Sequence, residues 1–258
     1  MATGRTLDRF VRMYVDGWDL SGYGRTVGPL DWSFDLVDLT AQMSDSAKGG
    51  LPGHTTISPG TFNGVLQATT DSGTEVSGIE LPGTTRDIMI PIGIRAAPAE
   101  GDPVFCCKSN HSLFNVVENG GAITVQATFG DWDASDTISY SIPWGVLLHP
   151  KGAETAVNSA DGADHDYGAA TTKGGYMAYQ VFAGSDVAGT IKVQHADTAE
   201  DASYADLCSA SITATSDPCG GIVQTAATTT TVNRYLRWQI TISQGTTVTF
   251  ALAFVRNI

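Results

Sequence analysis

The sequence predicts an all-β protein, mainly an antiparallel β-sandwich or two packed β units, flanked by one short α-helix. Three observations predict it. Apolar and polar residues alternate with period two along many segments, as a half-buried strand requires. The clearest case is the end of the chain. Leu236, Trp238, Ile240 and Ile242 alternate there with Tyr235, Arg237, Gln239 and Thr241, and Phe250, Leu252 and Phe254 follow beyond a turn at Ser243-Gln244-Gly245-Thr246. Charged residues make up only 16% of the chain, with Thr, Ser, Ala and Gly in their place, which suits pleated surfaces bearing hydroxyls. Only one segment carries convincing helical spacing.

Each element follows in order. Val11, Met13 and Val15 alternate, and Asp16-Gly17 makes a hairpin-type turn. After the loosening glycines Gly22 and Gly24, extended structure resumes at residues 26–34. In residues 35–48, Leu36, Leu39, Met43 and Ala47 recur at spacings of three and four. Asp35 is placed to cap this helix and Lys48 with Gly49-Gly50 to end it. Short strands are expected at 61–70 and 86–96, the second demoted to an edge or bulge by Pro91. Ile123, Val125, Ala127 and Phe129 share one face of the next strand, opposite Thr124, Gln126 and Thr128. A loop carrying Asp131, Asp133 and Asp136 then leads to Ile138, Tyr140 and Ile142, alternating with Ser139 and Ser141, so residues 122–142 read as a two-faced hairpin. Residues 150–174 are small, polar and glycine-rich and read as a flexible loop or linker. Strands at 174–184 and 189–198, a cysteine-flanked loop, a threonine-rich strand at 225–233 and the closing hairpin complete the chain. The expected units are therefore 1–149 and 175–258, joined by 150–174.

The bulk properties exclude several function classes. A length of 258 residues and a hydrophobic content of 42% allow a substantial core in about one or two domains. The 14 basic residues against 27 acidic ones give a net charge of −13, which phosphate backbones repel, so sequence reading of DNA is excluded. An acidic chain does suit a surface that lets DNA slide past. No run approaches the roughly 20 apolar residues of a membrane span, and the N-terminal segment lacks the pattern of a secretory signal. The expectation is synthesis in a cytoplasm and no membrane partner.

Catalytic chemistry finds no constellation. Asp31, Asp35 and Asp38 are explained by capping and a solvated face, and Asp161, Asp164 and Asp166 lack the terminal Glu of an EF-type calcium loop. There is no GxSxG elbow, no CxxC pair and no ligand spacing among the histidines, so no catalytic, cofactor or metal residue is assigned. Cys208 and Cys219 flank a segment of a length that a disulfide could close, while cytoplasmic synthesis favours free thiols. Trp144 and Trp238 sit on strand patterns and read as core. Trp18 and Trp132 lie at turns and read as anchors for a neighbouring subunit.

Residues 14–53 (YVDGWDLSGYGRTVGPLDWSFDLVDLTAQMSDSAKGGLPG), 90–105 (IPIGIRAAPAEGDPVF), 144–158 (WGVLLHPKGAETAVN), 174–184 (GGYMAYQVFAG) and the closing RYLRWQIT and VTFALAFVRN together resemble the tail tube (major tail) proteins of long-tailed bacteriophages, or a related phage virion structural protein. The resemblance implies a homo-oligomeric ring, trimer or hexamer, stacking into a tube in the virion. Hairpins of neighbouring subunits would join into an inner barrel that contacts other virion proteins and passes double-stranded DNA without specific binding. It also implies that Thr124, Gln126, Thr128, Asp131, Asp133, Asp136, Ser139 and Ser141 face the bore. A capsid decoration protein of a tailed phage is the alternative. A carbohydrate-binding β-sandwich for host attachment, using Trp18 or Trp132, is the second.

Overall fold

The structure is a computed structural model that describes residues 10–22, 24–38, 50–65, 79–94, 96–132, 142–155, 160–184, 187–213 and 218–257. Its strands are β1 (Tyr14–Val15), β2 (Trp18–Asp19), β3 (Gly24–Gly28), β4 (Asp31–Asp38), β5 (Gly50–Ser58) and β6 (Gly60–Val65). They continue as β7 (Thr85–Pro91), β8 (Pro103–Asn119), β9 (Ala122–Trp132), β10 (Trp144–Glu154), β11 (Ala160–Asp161) and β12 (His165–Asp166). The last are β13 (Gly175–Gly184), β14 (Ala188–Ala196), β15 (Ala205–Ile212), β16 (Cys219–Gln224), β17 (Tyr235–Gln244) and β18 (Val248–Arg256).

The all-β expectation holds. The main sheet runs β16-β13-β18-β10-β8-β7-β1-β2, every pair antiparallel, with β9, β6 and β3 continuing from β8 as a branch. Strands from both ends of the chain share this sheet. Its two ends curl toward each other until β7 and β16 are neighbours, giving a nearly closed barrel. The buried Gln180 on β13 stitches the seam: its Nε2 donates to the Asp87 carbonyl at 2.9 Å, and its Oε1 accepts from the Gly17 amide. Asp16 and Gly17 both have positive φ (47° and 81°), the primed turn that an Asp-Gly pair favours. A Cβ at Gly17 would lie 2.2 Å from the Val181 carbonyl oxygen, so the seam also requires a residue without a side chain there.

Period-two alternation in the sheet creates two buried faces. One lines the barrel with Tyr14, Met89, Val104, Cys106, Leu147, Tyr176, Ala178, Ala251, Ala253 and Val255. Three alanines leave room for the Tyr176 ring, whose hydroxyl donates to the Ile142 carbonyl at 2.7 Å. The other face carries Met177, Val181, Phe250, Leu252 and Phe254. These pack against Ile191, Val193, Leu236, Trp238, Ile240 and Ile242 of a second sheet, ordered β11-β17-β14-β15 with β12 also on β17. A third cluster, including Met13, Val15, Leu20, Phe62, Ile88, Ile90, Phe105, Cys107, Ala127 and Phe129, lies beneath the β9-β6-β3 branch. Truncating one of the large core rings costs about 3–5 kcal/mol in such a setting.

Several expectations change. The helix expected at 35–48 is not present where the residues are described: Asp35 to Asp38 lie in β4, paired with β5, and residues 39–48 fall outside the described residues. A short apolar run satisfies both periods, and here the β5 partner decides. The closing strands do not pair with each other. β17 joins the second sheet and β18 the first, so the turn at Gly245 (φ 84°) folds them face to face. Their apolar faces gain more contact by stacking across the core than by sharing one face of a hairpin. The cysteine-flanked segment contains β15 up to Ile212 rather than a loop, whereas the threonine-rich run at 225–233 forms turns with a single bridge, Thr171 to Val232. Four threonines have strand propensity but no apolar face to bury. The strand with Pro91 is neither an edge nor bulged: β7 pairs with β1 and β8 without a register shift, and Pro91, as its last residue, costs no interior ladder bond.

Candidate assembly surface

The branch β8-β9-β6-β3 is a four-stranded antiparallel sheet with unlike faces. Gly120 and Gly121 (φ 61° and 86°) turn β8 into β9, and these two strands project together as an arm. The inner face follows from Phe62 on β6 and Val125, Ala127 and Phe129 on β9, all buried. The outer face brings together Thr124, Gln126 and Thr128 on β9, Thr61 and Asn63 on β6, and Thr26 on β3 through the registers Thr61↔Thr128, Asn63↔Gln126 and Thr26↔Asn63. Thr61 and Thr128 hydroxyls lie 3.3 Å apart, and Asn63 Nδ2 donates to Thr26 Oγ1 at 3.1 Å. Side-chain hydroxyls of Ser112 and Thr124 cross to the carbonyls of Thr128 and Val117. The residues named on β9, β6 and β3 are hydroxyl or amide without formal charge, and the registers Leu113↔Thr128, Asn115↔Gln126 and Val117↔Thr124 add two exposed apolar side chains to the same face.

Both edges of this sheet lack a strand partner among the described residues. β3 pairs only with β6, and β8 pairs with β7 no further than Asn110. Beyond that point the arm exposes Leu113 (38%), Val116 (54%), Val117 (53%) and Ile123 (46%). An exposed strand edge with apolar side chains pairs readily with another chain, and Glu118 is the one charged residue on this stretch of β8.

The sequence-level site residues fall unevenly on this geometry. Thr124, Gln126 and Thr128 share one face, as their alternation requires. Asp131 belongs to β9 with its side chain outside the described residues, and Asp133, Asp136, Ser139 and Ser141 lie outside them altogether. The partner of β9 is β8, with β6 on its other side; residues 133–141, expected to complete that hairpin, are not described. Trp18 is half-buried and packs on the cluster beneath the branch. Trp132 pairs through its backbone with Ser109, and its side chain is outside the described residues. Sequence reasoning missed the 112–119 edge, although NHSLFNVVENGG carries the signal: an apolar run closed by Asn-Gly-Gly.

All four cysteines are unbridged here. Cys208 faces the core and its thiol is hydrogen-bonded to the Met177 backbone, while burial pushes its pKa up to about 12. Burial likewise drives the Cys106 and Cys107 thiols upward. A nucleophilic thiol needs the opposite shift. Among the described residues no group of three or more His, Cys, Asp and Glu side chains is placed to hold a metal ion. No helix among them is long and apolar enough to cross a membrane.

No family model matches the chain, and no curated protein matches it. Among solved structures it is similar to the SPP1 Dit protein, described as a paradigm of the hub adsorption apparatus in phages infecting Gram-positive bacteria. That match has 14% identity and a TM-score of 0.35 and covers 95% of this chain and 99% of that one. The baseplate of phage p2 in its activated conformation with Sr aligns at 9% identity and a TM-score of 0.33, covering 96% and 98%. Infectious bursal disease virus, Gx strain, aligns at 12% identity and a TM-score of 0.25, covering 97% and 69%. None of the three is close enough to lend this chain its role.

Proposed function

We propose that this chain is a structural subunit of a tailed-phage virion, of the tail tube type, that closes head to tail into a ring. The observation that carries the reading is the four-stranded sheet with two open edges. The β8 edge of one copy and the β3 edge of the next can pair, and repetition closes a heterologous contact into a ring. The faces then sort themselves. The apolar side is buried on the subunit's own core at Phe62, Ala127 and Phe129, while Val116 and Ile123 near the tip of the arm stay exposed. The side carrying Thr26, Thr61, Asn63, Thr124, Gln126 and Thr128 becomes the lining of the ring. The residues named on this lining carry no cation, so they offer DNA no counterion release and no hold on it. Of the sequence blocks that resemble tail tube proteins, those at 14–28, 144–154, 174–184 and 248–256 supply β1, β2, β3, β10, β13 and β18 of the main sheet.

A hub ring at the end of the tail is the second reading. It is favoured by the five-stranded second sheet packed on the barrel, which gives each subunit an outward layer for contact with other virion proteins.

Negative-stain imaging and mass photometry of the purified protein test the proposal. Rings or stacked rings are expected from the native chain. The double substitution Asn115→Lys with Val117→Lys, which places two like charges on the open β8 edge, is expected to leave folded monomers. A native chain that stays monomeric at high concentration would refute ring formation, and charged-edge variants that still form rings would refute the edge.

A further inference from the structure

The topology of the branch restricts how the β8 edge of one copy can meet the β3 edge of the next. β3, β6, β9 and β8 are joined by three successive antiparallel pairings, so β8 runs opposite to β3. Rotation about a ring axis preserves strand direction and keeps the same face inside. Wherever the two edges meet in such a ring, the junction is antiparallel and like faces are continuous.

Continuity of faces narrows the register. On the projecting part of β8, Leu113, Asn115 and Val117 share the face of Thr128, Gln126 and Thr124, and Phe114, Val116 and Glu118 take the other. On β3, Thr26 belongs to the first face, and Val27, which packs on the cluster beneath the branch, to the second. Val27 therefore stands opposite Phe114, Val116 or Glu118. Peptide direction agrees. Thr124 Oγ1 donates to the Val117 carbonyl at 2.9 Å and Ser112 Oγ to the Thr128 carbonyl at 3.1 Å, so both carbonyls point into the β8–β9 ladder. Alternation then turns the peptide groups of Val116 toward the open edge of β8. Carried through β9 and β6, the same alternation turns those of Val27 toward the open edge of β3.

Exposure chooses among the three positions. Opposite Glu118, Val27 would set an apolar side chain against a charge. Opposite Phe114, it would meet a ring already packed on its own core, while Val116 and Val117 would fall against the irregular stretch of β3 between Gly24 and Thr26. Opposite Val116, which is 54% exposed, Val27 gains an apolar neighbour, and Val117, 53% exposed, comes beside Thr26. Both exposed valines then lie against the regular part of β3. Apolar and β-branched cross-strand pairs of this kind favour a ladder.

We propose that a second copy of this chain docks on the arm in one antiparallel register, Val116↔Val27 with Val117↔Thr26. The inference rests on the ring reading and specifies its contact. Val116 and Val27 exchange the hydrogen bonds of this junction, so Val117 and Thr26 form the adjacent pair without them. Cα atoms of such a pair lie about 4.5 Å apart, within the span that a disulfide bridges. Both residues are exposed in the single chain, so cysteines there leave its core untouched.

The full chain carrying Thr26→Cys with Val117→Cys is imaged for rings by negative stain and then oxidised. A series of covalent multimers on non-reducing gels, collapsing to monomer with reductant, is expected. Each single variant is expected to run as monomer. So is Thr26→Cys with Val116→Cys, whose thiols take opposite faces. Rings in which Thr26→Cys cross-links to Asn115→Cys or Asn119→Cys in place of Val117→Cys would overturn the register and leave the ring reading standing. Rings that cross-link through none of these pairs would overturn the docking of β8 on β3. Absence of rings, in the native chain as in the variants, would overturn the ring reading and this contact with it.

Discussion

Gln180 offers the sharpest test of the barrel. It is buried on β13, and its amide spans the seam between the two ends of the main sheet. Gln180→Met keeps most of the volume and removes both hydrogen bonds, leaving the Gly17 amide without its acceptor and taking one donor from the Asp87 carbonyl. The orphaned Gly17 amide costs about 1–3 kcal/mol and the bond lost at the Asp87 carbonyl, which keeps its Asp16 amide donor, about 1 kcal/mol, roughly 2–4 kcal/mol together. At about 2–4 °C per kcal/mol for a chain of this size, Tm should fall by roughly 5–15 °C. Gln180→Ala adds a cavity and should cost more. Gly220→Ala reaches the same amide from the other side, because its Cβ would lie 2.7 Å from Gln180 Nε2. Urea unfolding followed by tryptophan fluorescence, with far-UV circular dichroism as a second probe, measures all three. A Gln180→Met protein within about 0.5 kcal/mol of the native chain, the usual range for an inconsequential surface change, would show that the amide does not hold the seam.

Two further expectations concern the thiols and pH. The intact mass should not change on reduction, and alkylation of the native protein should mark the half-exposed Cys219 first, with Cys106, Cys107 and Cys208 reacting only after unfolding; a gain of two hydrogens on reduction would instead reveal a Cys208–Cys219 bridge. Burial lowers the pKa of His111, His149, His165 and His195 in the folded chain, so the unfolded chain takes up protons first as pH falls. Their contribution is therefore complete above about pH 6.5 and erodes below it. The urea midpoint should be lower at pH 5.5 than at pH 8, and a higher midpoint at pH 5.5 would contradict the burial of these rings.

Arg237 shows how far strand patterning reaches and where it stops. Its place on the polar side of β17 follows from the alternation with Leu236 and Trp238. Yet the side chain is buried, because Asp161 at 3.0 Å, Asp201 at 2.8 Å and the Tyr204 ring at 4.0 Å close over it from other segments. Period two says which side of a strand a residue takes, but not what will cover that side. The same holds for the candidate surface. Thr124, Gln126 and Thr128 were legible as one face, whereas their meeting with Thr61, Asn63 and Thr26 required the non-local pairing of β9, β6 and β3.

By itself the sequence determined the strand-rich class, the Asp16-Gly17 turn, the inward residues of β9, β17 and β18, and the absence of a recognisable catalytic motif. All of these depend on neighbours a few residues apart, where backbone geometry and side-chain alternation act directly. Tertiary structure alone decided that β17 and β18 stack instead of pairing, that residues 35–38 extend instead of coiling, and that Gln180 closes a barrel from strands distant in sequence. For β17, β18 and Gln180 the partner lies far along the chain, beyond the reach of local patterning.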